Sequence, residues 1–488
     1  MSSVDHTVLV SLIDGARLEK TGPDRAQIST PDNPQRPPLV FGPLTPGLLE
    51  GLEALQAGVT LGLLVGKAVQ TEGVNSAGRI MVILQRLGNS AMLRYSLHLN
   101  AAPFVTLEPN THYYRSEEEK VKQDSCLVLS KFAYFRKDRG EMLLHSPLAY
   151  AKLRLHRSAA LAAAYCLLQP QTPAQLAQKL PEFTEDSARA FMNFLANAGT
   201  LQECDDRGAT AEDRDPALAQ WAFHDLLFHA GNRLGRHVDP YGGTYPFKNL
   251  FEPLPVVKKP LSEEIVPLFK PDMERLRLRD IPFSAVLEKR LTIRNYGQPA
   301  ITVDQLGEFL YRSARIKEMS EEAGVSWRPS PGGGALHELE IYPVVQACEG
   351  LAGGLYHYNP QAHHLCRLTN APEALVQNLL TWGRMTGKLE QAPQVLLVIT
   401  ARFQRVQMKY QSVAYSVILK NVGCLYQTMY LTASAMGLAP CALGGGDSDL
   451  FARAAGLDYY AETSVGEFLL GSAPPIQPTP YSRPWGVE

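Results

Sequence analysis

Residues 290–296 read Arg290-Leu291-Thr292-Ile293-Arg294-Asn295-Tyr296, and residues 328–334 read Arg328-Pro329-Ser330-Pro331-Gly332-Gly333-Gly334. Side chains alternate along an extended segment, so Arg290, Thr292 and Arg294 point the same way. Two guanidinium groups flanking a hydroxyl suit a phosphate, because Arg makes bidentate charge-assisted bonds to its oxygens. Taken alone, the pattern is also that of a solvated strand face. The three glycines let a backbone approach a flat ligand closely, and Ser330 adds a hydroxyl. A flexible surface loop is the plain alternative. Neither a dinucleotide fingerprint nor a P-loop is present.

Working outward, the apolar run Leu339 to Val345 and the run Val395 to Thr400 read as strands. Lys409-Tyr410 follows the second. Lys and Tyr serve proton transfer when an apolar pocket or a neighbouring cation lowers their pKa, although such a dipeptide is commonplace. A long buried helix comes next, with Ile418, Val422, Leu425, Met429 and Met436 on its core face. Ala442-Leu443-Gly444-Gly445-Gly446 then turns the chain; its backbone N–H groups suit a flavin nitrogen or carbonyl oxygen, and a helix cap with a loop is the alternative.

The first two hundred residues have another texture. Val8 to Ile13 reads as a strand. Thr45-Pro46 opens a helical run, two further apolar segments (Leu61 to Val69, Ile80 to Leu87) stay helical, and Met92 to Leu99 alternates like a strand. The order recurs. A hairpin at residues 126–145 precedes helices at Leu153 to Leu168, after Thr172-Pro173, and after Thr184; Gly199 ends the last and a strand resumes at Leu201. This is a winged-helix-like order, present twice. Glu185 and Asp186 open the last helix with Arg189 as its one base, which argues against groove reading and for peptide binding or scaffolding. His224 and His229 are five apart on a helical stretch, so they do not form a metal pair. Pro240 to Pro271 is dense in Pro and Gly and reads as a linker. The expected divisions are 1–100 and 101–205 (winged-helix-like units), 206–271 (connecting helix and linker) and 272–488.

The chain has 488 residues, 47 Lys plus Arg against 49 Asp plus Glu, and a formal charge of −2. That balance argues against binding nucleic acid through bulk charge. Seven cysteines stand at 126, 166, 204, 348, 366, 424 and 441, with no C-x-x-C pair. The expectation is therefore no disulfide framework, no cysteine zinc site and a reducing cytoplasm. The first fifteen residues do not read as a secretory signal, and no run of about 18 residues is apolar throughout, so no membrane span is expected.

The sequence R-x-T-x-R, PSPGGG, GLYHY (Gly354 to Tyr358), M-K-Y, the long apolar helix, GLAPCALGGG and the late LLG (Leu469 to Gly471) resembles the nitroreductase superfamily. It resembles in particular the SagB-type azoline dehydrogenases, with cyanobactin oxidases nearest. The resemblance covers the C-terminal domain and the FHDLLFHAGNRLGR stretch before it. It implies an α+β flavin fold preceded by two winged-helix-like peptide-clamp domains, and FMN at the interface of a homodimer. It also implies oxidation of thiazoline or oxazoline rings in an azoline-containing precursor peptide, with oxygen as the acceptor. By position it implies that Arg290, Thr292 and Arg294 hold the phosphate and ribityl chain, and that Ser330, Gly332 and Gly333 line the cofactor. Leu443, Gly444 and Gly445 would contact it through the backbone, and Arg483 would add a phosphate contact. Lys409 and Tyr410 match the Lys-Tyr pair of azoline oxidation. The family's Asp-x-Gly-His run on the long helix is replaced by Asn421-Val422-Gly423-Cys424, which puts contacts from that helix in doubt. Two alternatives stay open: a nicotinamide-dependent nitro or quinone reductase on the same fold, and a peptide-binding scaffold.

Overall fold

The computed structural model describes residues 6–31, 36–117, 120–138, 140–205, 207–237 and 239–475. Arg483 lies outside the described residues. The chain separates into two compact units, residues 1–241 and 242–488.

In the C-terminal unit the chemistry-bearing segments hang on a seven-stranded antiparallel sheet. Its strand order is Ile265–Pro267, His364–Arg367, Gly354–Asn359, Leu339–Val345, Val395–Arg402, Glu462–Ser472 and Leu438–Leu443. The strands Leu339–Val345 and Val395–Arg402 are buried along their whole length, which is why they read as unbroken apolar runs. Leu339, Ile341, Leu397 and Ile399 join one core with the helices Val303–Ala314 and Ala414–Met436. Tyr342, Val344, Leu396 and Val398 face the other core, with helices Glu373–Gly387 and Ser448–Ala455. The unit is a three-layer sandwich. The long helix ends at Gly437, whose φ of 67° supplies the left-handed cap.

Residues 240–271 are not a free linker. Gly242–Gly243 pairs with Tyr410–Gln411 as a two-stranded ribbon. The carbonyls of Leu254, Pro255 and Val256 accept from Arg402 and Arg405. Lys258 Nζ donates to Tyr342 Oη at 2.7 Å and pairs with Glu462 at 2.6 Å. Ile265–Pro267 then forms an edge strand. Residues 242–258 are thus a strap of the C-terminal unit. Apart from those of Lys258, most of its bonds are made by main-chain groups, among them carbonyls facing two buried arginines, a pattern without periodicity, so composition alone reads it as a linker.

In the N-terminal unit, helices Pro46–Ala57, Leu61–Glu72 and Asn75–Asn89 pack on one core, and Ser158–Cys166, Pro173–Lys179 and Glu185–Asn197 on another. Thr172 and Thr184 cap their helices as capping boxes. Thr45 does not cap its own helix; Glu72 accepts from Gly47 N–H at 2.7 Å in its place. One antiparallel sheet joins the two halves, in the order His6–Leu12, Leu93–Leu99, Ala102–Pro109, Ala151–Leu155, Glu141–His145 and Tyr134–Asp138. Residue 100 therefore falls in a turn between two paired strands. His229 stacks on Trp221, and His224 is exposed beside Asp225. Among the described residues, no helix is long and apolar enough to cross a membrane.

Leu201–Glu203 pairs with Leu127–Leu129 and brings Cys204 opposite Cys126, with their Sγ atoms 3.5 Å apart. Both thiols are free and partly exposed. Treatment with diamide is expected to join them, read as a cross-linked peptide 2 Da lighter than its reduced parts. The melting temperature should rise by roughly 5–15 °C, since a long loop is closed. Dithiothreitol reverses both effects, and Cys126→Ser abolishes them.

Candidate functional site

The glycine loop leaves the strand Val325–Trp327 and returns to Leu339–Val345. Ser330 is buried within it. Gly332 adopts an extended conformation, and a Cβ there would stand 2.9 Å from the His337 ring. Gly334 has φ 64°. A Cβ on Gly333 would collide with Val417 of the long helix. A Cβ on Gly334 would stand 2.7 Å from Tyr410 Oη and 2.8 Å from Lys409 Nζ. The loop therefore runs close beside the ends of both side chains, with no room left for a Cβ, and its left-handed turn favours glycine. An open depression of about 370 Å³ lies over the loop, lined among others by Trp327, Ser330, Gly332 and His337.

Lys409 and Tyr410 follow the short helix Phe403–Gln407 at the end of the buried strand Val395–Arg402. Lys409 N–H donates to Val406 at 3.1 Å, and its carbonyl accepts from Tyr245 of the strap at 3.1 Å. Tyr410 sits in register with Gly243. Both side chains are half-buried, with Lys409 Nζ 5.5 Å from the Tyr410 ring centroid.

Behind the loop lies a buried charge network. Arg405 donates to the carbonyls of Leu336, Leu254, Pro255 and Gly324. Burial, with Arg402 and Arg328 nearby, brings its pKa down to about 10, so it stays charged at neutral pH. Burial opposes the charge of Glu340, but His357 at 2.9 Å, Arg328 and Arg402 outweigh it and hold the carboxyl at about 2. Burial and the surrounding cations push His337 down to about 4, leaving it neutral at pH 7.

Arg290, Thr292 and Arg294 form a second cluster. Arg290 caps the end of the helix Phe283–Lys289, and residues 291–294 after it belong to no helix or strand. Ile293 is buried and donates to the Pro440 carbonyl at 2.9 Å. Thr292 Oγ1 lies 2.9 Å from Tyr430 Oη, which also accepts from Ala442 N–H at 2.8 Å. The Arg290 guanidinium sits 5.4 Å from the Tyr430 ring centroid, in cation–π range. Burial raises the Cys441 thiol, and Arg294 beside it works the other way. The strand Leu438–Leu443 delivers Leu443, which is buried, into a turn where Gly444 and Gly445 have open space around their Cα atoms. Gly446 is the crowded glycine, against Glu467.

The structure thus gathers Gly332, Gly333, Lys409 and Tyr410 in one place, and Arg290, Thr292 and Arg294 beside residues 440–442 in another. The long helix touches both. Asn421 meets the glycine loop and Tyr430 meets the arginine segment. At 1.5 Å per residue and 3.6 residues per turn, these nine positions span about 13 Å and two and a half turns, so the clusters lie on opposite faces of the helix. Asn421, Glu338 and Tyr430 are site residues that the motif pattern passes over. The replacement of the family's Asp at 421 was the available signal. Asn421 keeps a contact to the loop after all, accepting from Gly333 N–H at 3.0 Å.

Residues 287–471 match the nitroreductase family model, and residues 127–238 match the model described as cyanobactin oxidase ThcOx. Its C-terminal unit is thus similar to the nitroreductase family, and part of its N-terminal unit to the cyanobactin oxidases. It is 27% identical over 174 residues to the nitroreductase-type protein MJ1384 of Methanocaldococcus jannaschii, covering 36% of this chain and 81% of that one. To the microcin B17-processing protein McbC of Escherichia coli it is 28% identical over 145 residues, 28% of this chain. The chain spans 52% of McbC, about half its length. The E. coli microcin synthetase McbBCD complex, solved with truncated pro-MccB17 bound, aligns with 22% identity and a TM-score of 0.33. That alignment covers 40% of this chain and 73% of the matched one. The N-terminal unit also carries an apolar cleft of about 700 Å³, lined among others by Val10, Met81, Val82, Tyr95, Leu107 and Phe194.

The glycine at 334 permits a direct test of this geometry. Gly334→Ala combines a left-handed backbone with a Cβ that displaces Lys409 and Tyr410, and is expected to cost about 1–3 kcal/mol in denaturant unfolding. Gly444→Ala, in open space, is expected to stay within about 0.5 kcal/mol of wild type.

Proposed function

We propose that the chain is an FMN-dependent azoline dehydrogenase that converts thiazoline or oxazoline rings of a ribosomally made precursor peptide to thiazoles or oxazoles. The observation that carries this reading is the approach of Gly334 to the Lys-Tyr pair, so close that a Cβ at 334 would stand 2.7 Å from Tyr410 Oη and 2.8 Å from Lys409 Nζ. A surface that admits a flat group closely and a pair of proton-transfer groups meet at one point. The nitroreductase-family match supports the flavin expectation, and the cyanobactin-oxidase match supports a peptide substrate.

The residues present fit FMN. Arg290 and Arg294 offer two cations, with the Thr292 hydroxyl between them, for a phosphate. At Gly332 and Gly333 the loop packs too closely on His337 and Val417 to carry a Cβ, which leaves its backbone bare of side chains, and Gly444 and Gly445 have open space around them. When bound, FMN supplies the two-electron acceptor that ring aromatisation needs. The protein's part is to place the azoline against the glycine loop and to take the ring proton. The proton would pass to Tyr410 Oη as its phenolate or to Lys409 Nζ as its free amine, and the apolar core packed behind Tyr410 excludes water on its inner side. Since the arginine segment and the glycine loop of one chain lie on opposite faces of the long helix, a site using both is completed by a second copy in a homodimer. The apolar cleft of the N-terminal unit is the place we assign to the leader part of the peptide, held as an added strand or extended segment.

Incubation with an azoline-bearing peptide is expected to remove about 2 Da per ring, the two hydrogens that a flavin accepts. Lys409→Ala and Tyr410→Phe should keep the yellow colour and slow that loss by about 10²–10⁴-fold, the usual size of a general-base contribution. An unchanged rate in Lys409→Ala would remove the catalytic assignment. A wild type that ignores azolines but oxidises a nicotinamide cofactor with a nitroaromatic would replace the reading with the reductase one. In a separate measurement, Arg290→Ala and Arg294→Ala are each expected to weaken flavin retention by about 1.5–3 kcal/mol, measured by dialysis and absorbance.

A further inference from the structure

Asn421 stands between the glycine loop and a carboxylate sealed from water. Its Oδ1 accepts from Gly333 N–H at 3.0 Å, and its Nδ2 donates to both oxygens of Glu338, at 2.9 and 3.2 Å. Glu338 is 0% exposed and Asn421 7%. The orientation of the amide is forced: a backbone N–H only donates, so oxygen faces Gly333 and nitrogen faces the carboxylate. Two partners of opposite hydrogen-bonding type are served at once, which an amide does and a carboxylate does not.

We propose that Asn421 and Glu338 are a positioning couple for the glycine loop, in which the residue just before the strand Leu339–Val345 supplies the acid and the helix must supply the amide. The loop takes its shape through Gly333, and the couple fixes Gly333 against the helix that carries Val417. The groups facing Glu338 are Asn421 from the helix, Arg328 from the loop's own approach, and Arg405 from the helix Phe403–Gln407. Burial raises the Glu338 carboxyl, while Asn421 and the two arginines favour its ionised form. An acid at 421 would face Glu338 with like charge, and the pair would hold a shared proton at low pH. One carboxyl of such a pair has a folded pKa above its unfolded value. Its contribution is therefore present at low pH and lost as pH rises through the folded pKa.

The proposal deepens the FMN reading in its flavin readout and is independent of it in its stability readout. Full-length wild type, Asn421→Asp, and Asn421→Asp with Glu338→Gln are compared from about pH 5 to pH 8, following thermal unfolding and flavin release by fluorescence. Asn421→Asp is expected to melt progressively lower as pH rises and to release flavin roughly tenfold faster than wild type at pH 8, with the defect shrinking toward pH 5. Adding Glu338→Gln exchanges acid and amide between the two positions. It is expected to bring release to within about twofold of wild type and to remove the added pH dependence. An Asn421→Asp chain that behaves as wild type across the range, or a double variant no better than the single, overturns the couple. A wild type without flavin whose melting curves still follow this rescue supports the couple and counts against the FMN reading instead.

Discussion

A guanidinium removed from water is costly unless its N–H groups all find acceptors. Arg405 meets that demand with main-chain carbonyls from segments far apart in the chain: Gly324 before the loop, Leu336 after it, and Leu254 and Pro255 of the strap. Each of those carbonyls belongs to irregular backbone that no sheet or helix bond would otherwise satisfy. Arg402 repeats the arrangement one step away, with Pro255, Val256 and Glu340 as acceptors. Three arginines, Arg328, Arg402 and Arg405, would repel one another in so small a volume; Glu338 and Glu340 offset them. The glycine loop and the ribbon that carries Tyr410 are therefore set by one buried electrostatic assembly, and the Lys-Tyr pair inherits its place from it.

The sheet and the long helix were legible in the sequence because burial on both faces leaves unbroken apolar runs, and because Ile418, Val422, Leu425 and Met429 recur at helical spacing. The glycine motif and the Lys-Tyr pair were legible as separate signals, and their contact was not, since it depends on a left-handed turn at Gly334. The strap was hidden for a different reason. Lys258 aside, its anchors are mostly main-chain groups, which every residue owns, so little in its residue types announces them. In the N-terminal half the helices stood out through their caps, whereas the sheet joining residues 6–12 to 134–138 rests on pairings distant in sequence.

The polar residues of the long helix carry its second role. Asn421, Tyr426 and Tyr430 interrupt an otherwise apolar pattern, and each binds a backbone N–H of a different segment: Gly333, Glu467 and Ala442. A buried amide or phenol that satisfies a distant main-chain group fixes register more tightly than apolar contact does, because it has few good geometries. The helix is in this sense a ruler. It sets the spacing between the arginine segment and the glycine loop to a fixed number of residues, and an insertion or deletion between Asn421 and Tyr430 would rotate one cluster away from its partner.

Attachment through main-chain carbonyls has an evolutionary consequence for residues 242–258. Main-chain bonds survive substitution, so the exposed Pro255 is free to drift, while Arg402, Arg405, the buried Val256 and the ion-paired Lys258 are not. The family matches end at residue 238 and resume at 287, leaving the strap between them. Homologous straps should accordingly be conserved in path and in their arginine anchors, and be found by superposing backbones where comparing letters fails.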